Sequence, residues 1–529
     1  MFIIVYLLVS YLLLSISLYL LFPKAGVDAV KGLIPGVNFV EWCKLIGRKP
    51  TYALLLLIPL VNIFIFCGMA VDLVRSFKLY DYKDTVGAVL YAPAKIYFMS
   101  KNDAIQYDSP TLPKEKAYSE AIASAMKSDN TYELKKLHEN NPYKKSTARE
   151  WAESLFFAVF AAAFIRMFLI EAYVIPTPSM EGSLNVGDYL FVSKAHYGIR
   201  MPQTVAMIPL LHNRIPMLNT ESYLKSPSLK YTRLPAITNV KRNDPFVFNW
   251  PAGDSVYITP SRSYSVDQVR RNPGIQDPGL AKLVRKKDFI VRPMDKTDFY
   301  IKRAVGLPGD KLEIKNRQLF INNVEAQNPE HLQFHYDVTM PSGVNLKKLD
   351  DWGIDEGDWY FPHGLTKPNH VYLDKEQVKK LKSLDSEVSV VVRGHRTGGL
   401  FPNTTASKKW SVDNYGPITI PAAGQTVNLT VDNLPMYRRV IGVYEHHDLA
   451  IANGQIMIDG KAATSYTFEQ DYYWAMGDNR HASEDSRAWG FVPADHIVGK
   501  PLFIWFSTKE GSIFKGINWN RIFRSANTD

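Results

Sequence analysis

An uncharged apolar stretch at the start of the chain limits what this protein can fold into more than any other feature. Residues 2–22 contain no charged side chain, and about 20 apolar residues at 1.5 Å per residue cross a hydrocarbon layer of roughly 30 Å. The stretch lacks the basic residues and the small-residue cleavage site of a secretory signal, and it is too long for the apolar part of one. It predicts a transmembrane helix over residues 1–23.

Two further apolar segments predict a second and a third transmembrane helix, over residues 52–72 and 150–172. Arg166 would cost about 2.5 to 3.5 kcal/mol at the middle of a membrane, so we expect it near one end of the third helix. This placement puts Arg166 and Glu171 at the membrane interface. The chain then reaches water at about Tyr173.

Charge between the spans predicts the orientation of the third helix. The segment from Arg75 to Arg149 contains 13 lysines and arginines, and basic loops stay on the cytoplasmic side. Residues 73–149 are therefore predicted to be cytoplasmic, and everything after residue 172 is predicted to lie outside. The same topology places the connecting loop 24–51 outside although it is also basic, so the orientation of the first two spans stays open.

Composition narrows the remaining function classes. The net charge of +10 is spread along the chain, without an arginine-rich arm or zinc-finger spacing, which argues against nucleic acid. In a protein with membrane spans, a basic balance more often reflects contact with anionic lipid headgroups or retention of loops in the cytoplasm. The two cysteines, Cys43 and Cys67, permit no intrachain disulfide in the long segment that follows them.

The part after the third span has the pattern of a mainly β soluble domain. Short apolar alternations, such as residues 189–193, 245–249 and 317–322, predict strands, and Gly, Pro, Asn and Asp punctuate them. A short helix is predicted around residues 374–382. The predicted organisation is a catalytic domain in two parts, residues 173–323 and 466–510, an inserted β-rich subdomain, residues 324–465, and a basic C-terminal tail, residues 511–529.

Ser179 is the candidate nucleophile, and it needs a base to take its proton. Histidine is the usual base, but none of the 12 histidines lies in a known local motif of serine hydrolases, and Gly-x-Ser-x-Gly is absent. A lysine can serve only when neutral, and burial can lower its pKa by several units from about 10.4. If residues 300–304 form a strand, Lys302 shares one face with Tyr300 and Ala304, so it can point inward.

A third polar cluster, residues 476–490, lies within an otherwise β pattern. Taken singly, each of the three segments has an ordinary interpretation. Ser179 could be a turn residue, Lys302 a solvated strand lysine, and the cluster a charged hairpin loop. Their combination carries the functional hypothesis.

The three segments together resemble the bacterial type I signal peptidases, a family of membrane-bound Ser/Lys proteases. The resemblance covers about 180 residues, and its blocks occur in the family's order: residues 176–180, 187–188, 243–248, 300–310 and 477–493. It implies a mainly β signal-peptidase-like catalytic domain anchored by N-terminal transmembrane helices, and in this chain the domain carries the predicted inserted subdomain. Reticulum-type relatives use histidine as the base, so Lys302 favours the bacterial kind.

The resemblance also implies a role for each matching residue. Ser179 would be the acylating nucleophile and Lys302 the general base, and the backbone N–H of Ser179 and the Thr177 hydroxyl would form the oxyanion hole. The supporting residues would be Ser483, which orients the lysine amine, Asp478, which pairs with Arg303, and Asp485, which pairs with Arg487. The pockets for small substrate side chains would be formed by Ile175, Met180, Leu184 and Tyr300, with ordinary core packing as the rival explanation for these four.

The implied activity is removal of N-terminal signal peptides from exported preproteins after an Ala-x-Ala pattern, without a metal or other cofactor. The substrate would bind as an added strand. The expected partners are signal peptides and the lipid bilayer, with contact with the export machinery left open and no nucleic acid. The expected location is the bacterial inner membrane, multi-pass, with the catalytic domain on the outer face.

The chain departs from the family pattern at several positions, and two other protein classes are alternatives to a signal peptidase. Gly182 and Ser183 stand where many relatives have a Pro-Thr pair, and an insertion of about 140 residues and an additional N-terminal span enlarge the chain. A self-cleaving repressor-type Ser/Lys protease would not need the apolar spans. A protein that binds signal peptides without cutting them would not need Ser179, Thr177 and Lys302 together.

Overall fold

The computed structural model describes residues 2–57, 61–143, 147–215, 218, 220–260, 262–272, 274–341, 349, 352–354, 369–394 and 399–527. The chain divides into two compact units, Met1–Phe156 and Phe157–Asp529. The first is helical and the second is mainly β.

The first unit is built from α-helices around one apolar core. Its helices are Phe2–Leu21, Val37–Ile46, Val61–Ser76, Tyr82–Lys101, Thr111–Lys127 and Thr131–Glu139, and a further helix, Thr147–Phe168, begins in this unit. Leu18, Trp42, Leu73 and Ile96 are buried in the core. The indole N–H of Trp42 donates to the carbonyl of Met69 at 3.1 Å, so the ring is both packed and hydrogen-bonded.

Among the described residues, one helical segment, Leu8–Ala25, is long and apolar enough to cross a membrane. It overlaps the first predicted span. The second predicted span begins within a 3-10 helix, Pro50–Leu57, which precedes helix Val61–Ser76. Residues 58–60 lie outside the described part. The third predicted span is a helix only as far as Phe168, because a strand begins at Ile170. Membrane crossing by residues 52–72 and 150–172 therefore stays a prediction.

The second unit confirms the predicted mainly β class. In the described residues its strands are β1 Ile170–Val174, β2 Asp188–Ser193, β3 Pro245–Asn249, β4 Ser255–Ile258, β5 Ser263–Ser265, β6 Ile290–Val291, β7 Phe299–Gly306, β8 Lys311–Lys315, β9 Gln318–Ile321, β10 Val324–Glu325, β11 Phe334–Thr339, β12 Asn369–Leu373, β13 Ser389–Val392, β14 Tyr415–Thr419, β15 Thr426–Asn428, β16 Leu449–Ala452, β17 Gln455–Ile458, β18 Lys461–Ala462, β19 Ser465–Thr467, β20 Tyr472–Met476, β21 Val492–Pro493 and β22 Ile497–Ser507. Its helices after Phe168 are Val266–Arg271, Pro278–Lys286, Lys375–Lys382, Leu434–Arg439 and Ser486–Trp489.

A seven-stranded antiparallel sheet carries the candidate site. Its strand order is β1-β2-β22-β3-β7-β20-β21, so the last long strand of the chain, β22, lies between β2 and β3. Strand β7 is interior, with β3 on one side and β20 on the other. Residues of β7 are therefore held by hydrogen bonds along both edges.

Both faces of this sheet are covered by apolar side chains. Phe246 lies opposite Lys302 and Val247 lies opposite Ile301, and directly opposed residues share a face. Phe246 belongs to a core with Phe248, Ala304 and Trp489. Val247 belongs to a second core, with Ile175 and Met180. A lysine at position 302 is therefore enclosed by the fold.

The region predicted as an inserted subdomain contributes several small sheets. One of them, β10-β9-β8-β14, takes strands from both sides of the predicted boundary at residue 324. The predicted helix is present as Lys375–Lys382, and Asp374 and Gln377 form a capping box at its start, which satisfies two orphan N–H groups. The limits of the subdomain stay a prediction.

Candidate active site

Ser179 lies in a short turn that follows β1. Thr177 is extended, and Pro178 opens the 3-10 turn Pro178–Met180, where the fixed φ of proline suits the first position. The backbone N–H of Asn479 donates to the Ser179 carbonyl at 3.2 Å. The position of the serine is thus fixed by a segment about 300 residues later in the chain.

A glycine makes this approach feasible. A Cβ atom on Gly477 would lie 2.3 Å from the Ser179 carbonyl oxygen and 2.3 Å from Oγ of Ser483, distances that real Cβ atoms do not adopt. The absence of a side chain lets the two segments touch. Gly477 is one of the residues that the family resemblance covers.

Lys302 reaches Ser179 from the middle of β7. Its Nζ lies 2.7 Å from Oγ of Ser179 and 2.8 Å from the carbonyl oxygen of Ile301. The lysine is 3% exposed and the serine 7% exposed. Among the described residues no carboxylate forms an ion pair with this amine.

Burial lowers the pKa of the Lys302 amine to about 8, although the more distant carboxylates of Asp485, Glu484 and Asp478 act in the opposite direction. At pH 7.4 a pKa of about 8 leaves roughly one fifth of the amine neutral, against about one in a thousand for an unperturbed lysine. The amine can therefore accept a proton near neutral pH.

Arg303, the neighbour of Lys302, points into a separate buried network. Its guanidinium donates to both carboxylate oxygens of Asp478, at 2.8 and 2.7 Å, to the Asn243 carbonyl at 2.6 Å and to the Ser183 hydroxyl at 3.2 Å. The predicted pair of Arg303 and Asp478 is present. Such bidentate pairs add geometric specificity, here by tying β7 to the loop after β20.

The predicted pair of Asp485 and Arg487 is also present and fully buried. The two side chains meet at 2.9 and 2.7 Å, and Asp485 accepts the backbone N–H of Gly477 at 3.1 Å. Burial alone would raise the pKa of Asp485, but the Arg487 guanidinium holds this pKa below its usual range. The pair braces the glycine that contacts Ser179.

Two predicted residues are placed differently from their expected contacts. The hydroxyl of Ser483 is buried beside Gly477, but the hydrogen bonds that the structure gives Lys302 go to Ser179 and Ile301. Leu184 is fully buried in the core with Ile175 and Met180 and does not line the cleft. Ordinary packing accounts for Leu184.

A cleft of about 570 Å³ opens onto Ser179 and Lys302. Residues 173–180 form one wall and residues 298–302 form the other, with Ile175, Met180 and Tyr300 among the lining residues. Tyr300 stacks on Trp250 and contacts the edge of Trp489. An extended peptide could lie between these walls.

Sequence reasoning missed an ion pair at the mouth of the cleft. Arg262 donates to Glu484 at 2.8 Å, and both residues line the cleft. Glu484 belongs to the third polar cluster of the sequence, but no motif points to Arg262, which follows β4 and is 222 residues away.

The motifs also assign no role to His481. Its ring is fully buried, and its Nε2 lies 2.7 Å from Asp413.

A serine hydroxyl that contacts a buried amine at the base of a peptide-sized cleft is the kind of site found in serine hydrolases. The family model described as "Signal peptidase, peptidase S26" matches residues 148–369 and 420–506, which is more than half of the chain. The chain belongs to this family, and it is a serine endopeptidase that cleaves signal peptides.

Individual relatives agree with the family. The chain is 23% identical over 386 residues to a signal peptidase I of Buchnera aphidicola, covering 72% of this chain and 84% of the relative. It is 23% identical over 370 residues to that of Rickettsia canadensis, covering 69% and 82%. It is 24% identical over 367 residues to that of Haemophilus influenzae, covering 69% and 71%.

A second family model matches the helical unit. Residues 30–110 match a family of unknown function, DUF5684. This match covers helices Val37–Ile46 and Val61–Ser76, and it ends before the signal peptidase match begins. The helical unit therefore carries a family likeness of its own.

Proposed function

We propose that Ser179 is the acylating nucleophile and Lys302 its general base in the removal of signal peptides from exported preproteins. The observation that carries the proposal is the 2.7 Å contact between Lys302 Nζ and Ser179 Oγ in an environment that lowers the pKa of the amine. When the amine is neutral, its lone pair can accept the Ser179 proton across this contact.

The reaction would proceed through an acyl-enzyme. Ser179 Oγ attacks the carbonyl carbon of the scissile peptide while Lys302 takes the hydroxyl proton. The protonated amine then gives this proton to the leaving nitrogen, which departs as the new N-terminus of the mature protein. Water, deprotonated by the same amine, hydrolyses the ester and releases the signal peptide as a carboxylic acid.

Two donors beside Ser179 would stabilise the oxyanion. In the described part of the chain, the Ser179 N–H has no backbone acceptor, and Oγ1 of Thr177 lies 3.5 Å from Oγ of Ser179. Thr177 is exposed toward the cleft. Both groups can reach an oxygen that develops negative charge next to the nucleophile.

Replacing Thr177 by valine should lower kcat about 10²- to 10³-fold, because one oxyanion donor is lost, with little change in KM. The side chain is exposed, so the free energy of unfolding should change by less than about 0.5 kcal/mol. Single-turnover cleavage and urea unfolding measure both. Thr232→Val, which also removes an exposed threonine hydroxyl, is the control, and a Thr177→Val enzyme as fast as this control would exclude Thr177 from the oxyanion hole.

The cleft supports recognition of an extended substrate with small residues before the cut. Strand β1 is at the edge of the seven-stranded sheet, so its outer side can pair with an added strand. The cleft is bounded by Ile175 and Met180, which are 3% and 0% exposed. Because these two side chains are packed into the core, they leave little space for a large substrate side chain. This supports the Ala-x-Ala preference.

The pH dependence of cleavage tests the lysine directly. Since only neutral Lys302 can accept the proton, kcat/KM should fall about tenfold per pH unit on acidification below about 8, the pKa of Lys302, and level off above it. Cleavage of a fluorogenic signal-sequence peptide between about pH 6 and 11 measures the profile on both sides of this pKa and of the ordinary lysine value. A limb centred near 10.4, the value of an exposed lysine, would contradict a desolvated base.

The decisive experiment is incubation of the purified protein with an exported preprotein, followed by sequencing of the new N-terminus. We expect one cut directly after an Ala-x-Ala segment. A matched precursor with a large residue in place of the alanine before the cut should resist cleavage. Cleavage at unrelated positions in both precursors would refute the proposed specificity.

Membrane anchoring completes the proposal. The apolar segment Leu8–Ala25 is long enough to span a bilayer, and we propose that it anchors the enzyme with the catalytic unit on the outer face. Exported preproteins meet their peptidase at that surface. In sealed inside-out vesicles of the inner membrane, which enclose the outer face, the second unit should be protected from added protease. It should become sensitive when the vesicles are opened, and sensitivity before opening would contradict this orientation.

A further inference from the structure

A second cavity in the β unit has a basic lining that the proposed reaction does not use. It encloses about 100 Å³ and is lined by the end of helix Thr147–Phe168, by β1 and by the segments around residues 194–212 and 295–299. Four cationic side chains line it together with two carboxylates: Arg166, Lys194, Arg200 and Lys296 with Glu171 and Asp295. Positive charge exceeds negative charge inside the cavity.

The two carboxylates are already engaged. Glu171 accepts from Arg166 at 2.7 Å and from Lys194 at 2.7 Å. Asp295 accepts the backbone N–H groups of Gln203 and Thr204, at 3.2 and 2.9 Å, and the Thr204 hydroxyl at 2.8 Å. Asp295 is thus held by the backbone, and in the described part of the chain neither carboxylate pairs with Lys296 or Arg200.

Lys296 is buried in the wall of this cavity. It is 4% exposed, and its Nζ contacts Sδ of Met207 at 2.8 Å and lies 5.6 Å from the centre of the Tyr223 ring. In the part of the chain that the structure describes, no carboxylate oxygen comes within ion-pair distance of this amine. Burial lowers the pKa of the Lys296 amine, and a bound anion would stabilise its charged form.

Arg200 presents a second cation to the same cavity. Its guanidinium donates to the amide oxygen of Asn249 at 2.6 Å and to the carbonyl of Asp495 at 3.1 Å, both of which are uncharged acceptors. Within the described residues it forms no ion pair. The cavity therefore offers two cations from separate segments, with neutral partners only.

His212 does not add to the charge of the cavity. Its ring stacks on Phe299 at 4.0 Å between centres, its Nε2 lies 2.9 Å from the Thr297 carbonyl, and burial lowers its pKa to about 4. The imidazole is neutral at physiological pH. The attraction for an anion comes from Lys296 and Arg200.

We propose that this cavity binds a phosphate group between Lys296 and Arg200. A tetrahedral oxyanion can accept hydrogen bonds from several directions, as an ammonium and a guanidinium would donate them. The volume accommodates several waters or one group of phosphate size. The phosphate could belong to a lipid headgroup, since the cavity adjoins the end of an apolar helix, or it could be free, and the experiment separates the two sources.

The experiment uses the full chain in a phosphate-free non-ionic detergent. Calorimetric titrations with inorganic phosphate and with dihexanoylphosphatidylglycerol measure both sources. We expect the wild-type protein to bind at least one probe, and Lys296→Met to weaken this binding about tenfold or more, the loss for one charge-assisted hydrogen bond. Lys296→Arg should retain binding. Lys311→Met, at an exposed position, is the matched control and should bind as wild-type.

A second variant tests the proposal independently, in case Lys296→Met does not fold. Met207→Glu places a carboxylate next to Lys296, so it should displace the phosphate while pairing the buried amine. Tighter binding of the phospholipid identifies a headgroup site, and equal or tighter binding of inorganic phosphate identifies a site for the free anion. Failure of the wild-type protein to bind either probe, or wild-type binding by both Met207→Glu and a folded Lys296→Met, would overturn the proposal.

Discussion

Replacing Ser179 by alanine is expected to lower kcat/KM for precursor cleavage about 10⁶-fold, the scale seen when the nucleophile of a serine protease is removed. No other described hydroxyl lies within hydrogen-bonding distance of Lys302 Nζ, since its partners are Ser179 Oγ and the Ile301 carbonyl. No acyl-enzyme can then form on this residue. Cleavage of a purified precursor in detergent, followed by gel electrophoresis, measures the loss.

The same variant should remain folded. The Ser179 carbonyl keeps its bond to the N–H of Asn479, and the buried Lys302 amine keeps its bond to the Ile301 carbonyl. The loss of the hydroxyl should therefore lower the free energy of unfolding by about 1 to 3 kcal/mol. Ser386→Ala, at an exposed turn in the same unit, is the matched control for activity and stability. A folded Ser179→Ala protein that cleaves within about tenfold of Ser386→Ala, far from the loss expected for a nucleophile, would show that another residue is the nucleophile.

Replacing Lys302 by methionine should lower kcat/KM by at least about 10⁴-fold, because the serine loses the base that activates it. Methionine has nearly the same length and is apolar, so it fits a side chain that is 3% exposed. It also removes the desolvation cost of the amine, and the free energy of unfolding should stay the same or rise. Single-turnover kinetics and urea unfolding provide the two measurements.

The combination of lost activity and retained stability distinguishes a base from a structural lysine. A lysine that only braced the fold would lose stability along with activity when replaced. Lys311→Met serves as the control, since this lysine is exposed at the start of β8. Residual activity of Lys302→Met that still rises with pH through about 8, the pKa of Lys302, would show that a different group provides the titration.

Local features of the chain predict the strands that carry part of the candidate site, whereas the roles of its residues come from the family resemblance. The alternation of residues 300–304 places Lys302 on one face of a strand, and that strand, Phe299–Gly306, is present. The strand predicted over residues 245–249 has the same bounds in the structure. These predictions succeed because strand periodicity and turn residues depend on neighbours in the chain.

Contacts between segments that lie far apart in the chain are harder to predict from the sequence. The resemblance brings Ser179 and Lys302 together, whereas periodicity cannot, because 123 residues separate them. The insertion of β22 between β2 and β3 and the ion pair of Arg262 with Glu484 have no local signal. Such contacts depend on which strands become neighbours in the sheet, and this depends on packing of the whole unit.

Tertiary strand pairing also explains why the third apolar helix ends earlier than its composition predicts. Composition predicts a helix over residues 150–172, but Ile170 to Val174 pair with β2, and the hydrogen bonds gained along this edge outweigh local helix propensity. Leu184 likewise resembles a pocket residue in its sequence context and is part of the core. Neither position can be assigned without its tertiary neighbours.

The apolar segment at the N-terminus and the strand pattern can thus be predicted from residue order, because each depends on side-chain type and local spacing. The candidate dyad of Ser179 and Lys302 is instead implied by the resemblance of its motifs to a known family. The lowered pKa of Lys302, the cleft and the basic cavity around Lys296 are decided by tertiary structure alone. Desolvation and charge pairing depend on which groups surround a side chain in space, and those groups come from segments far apart in the chain.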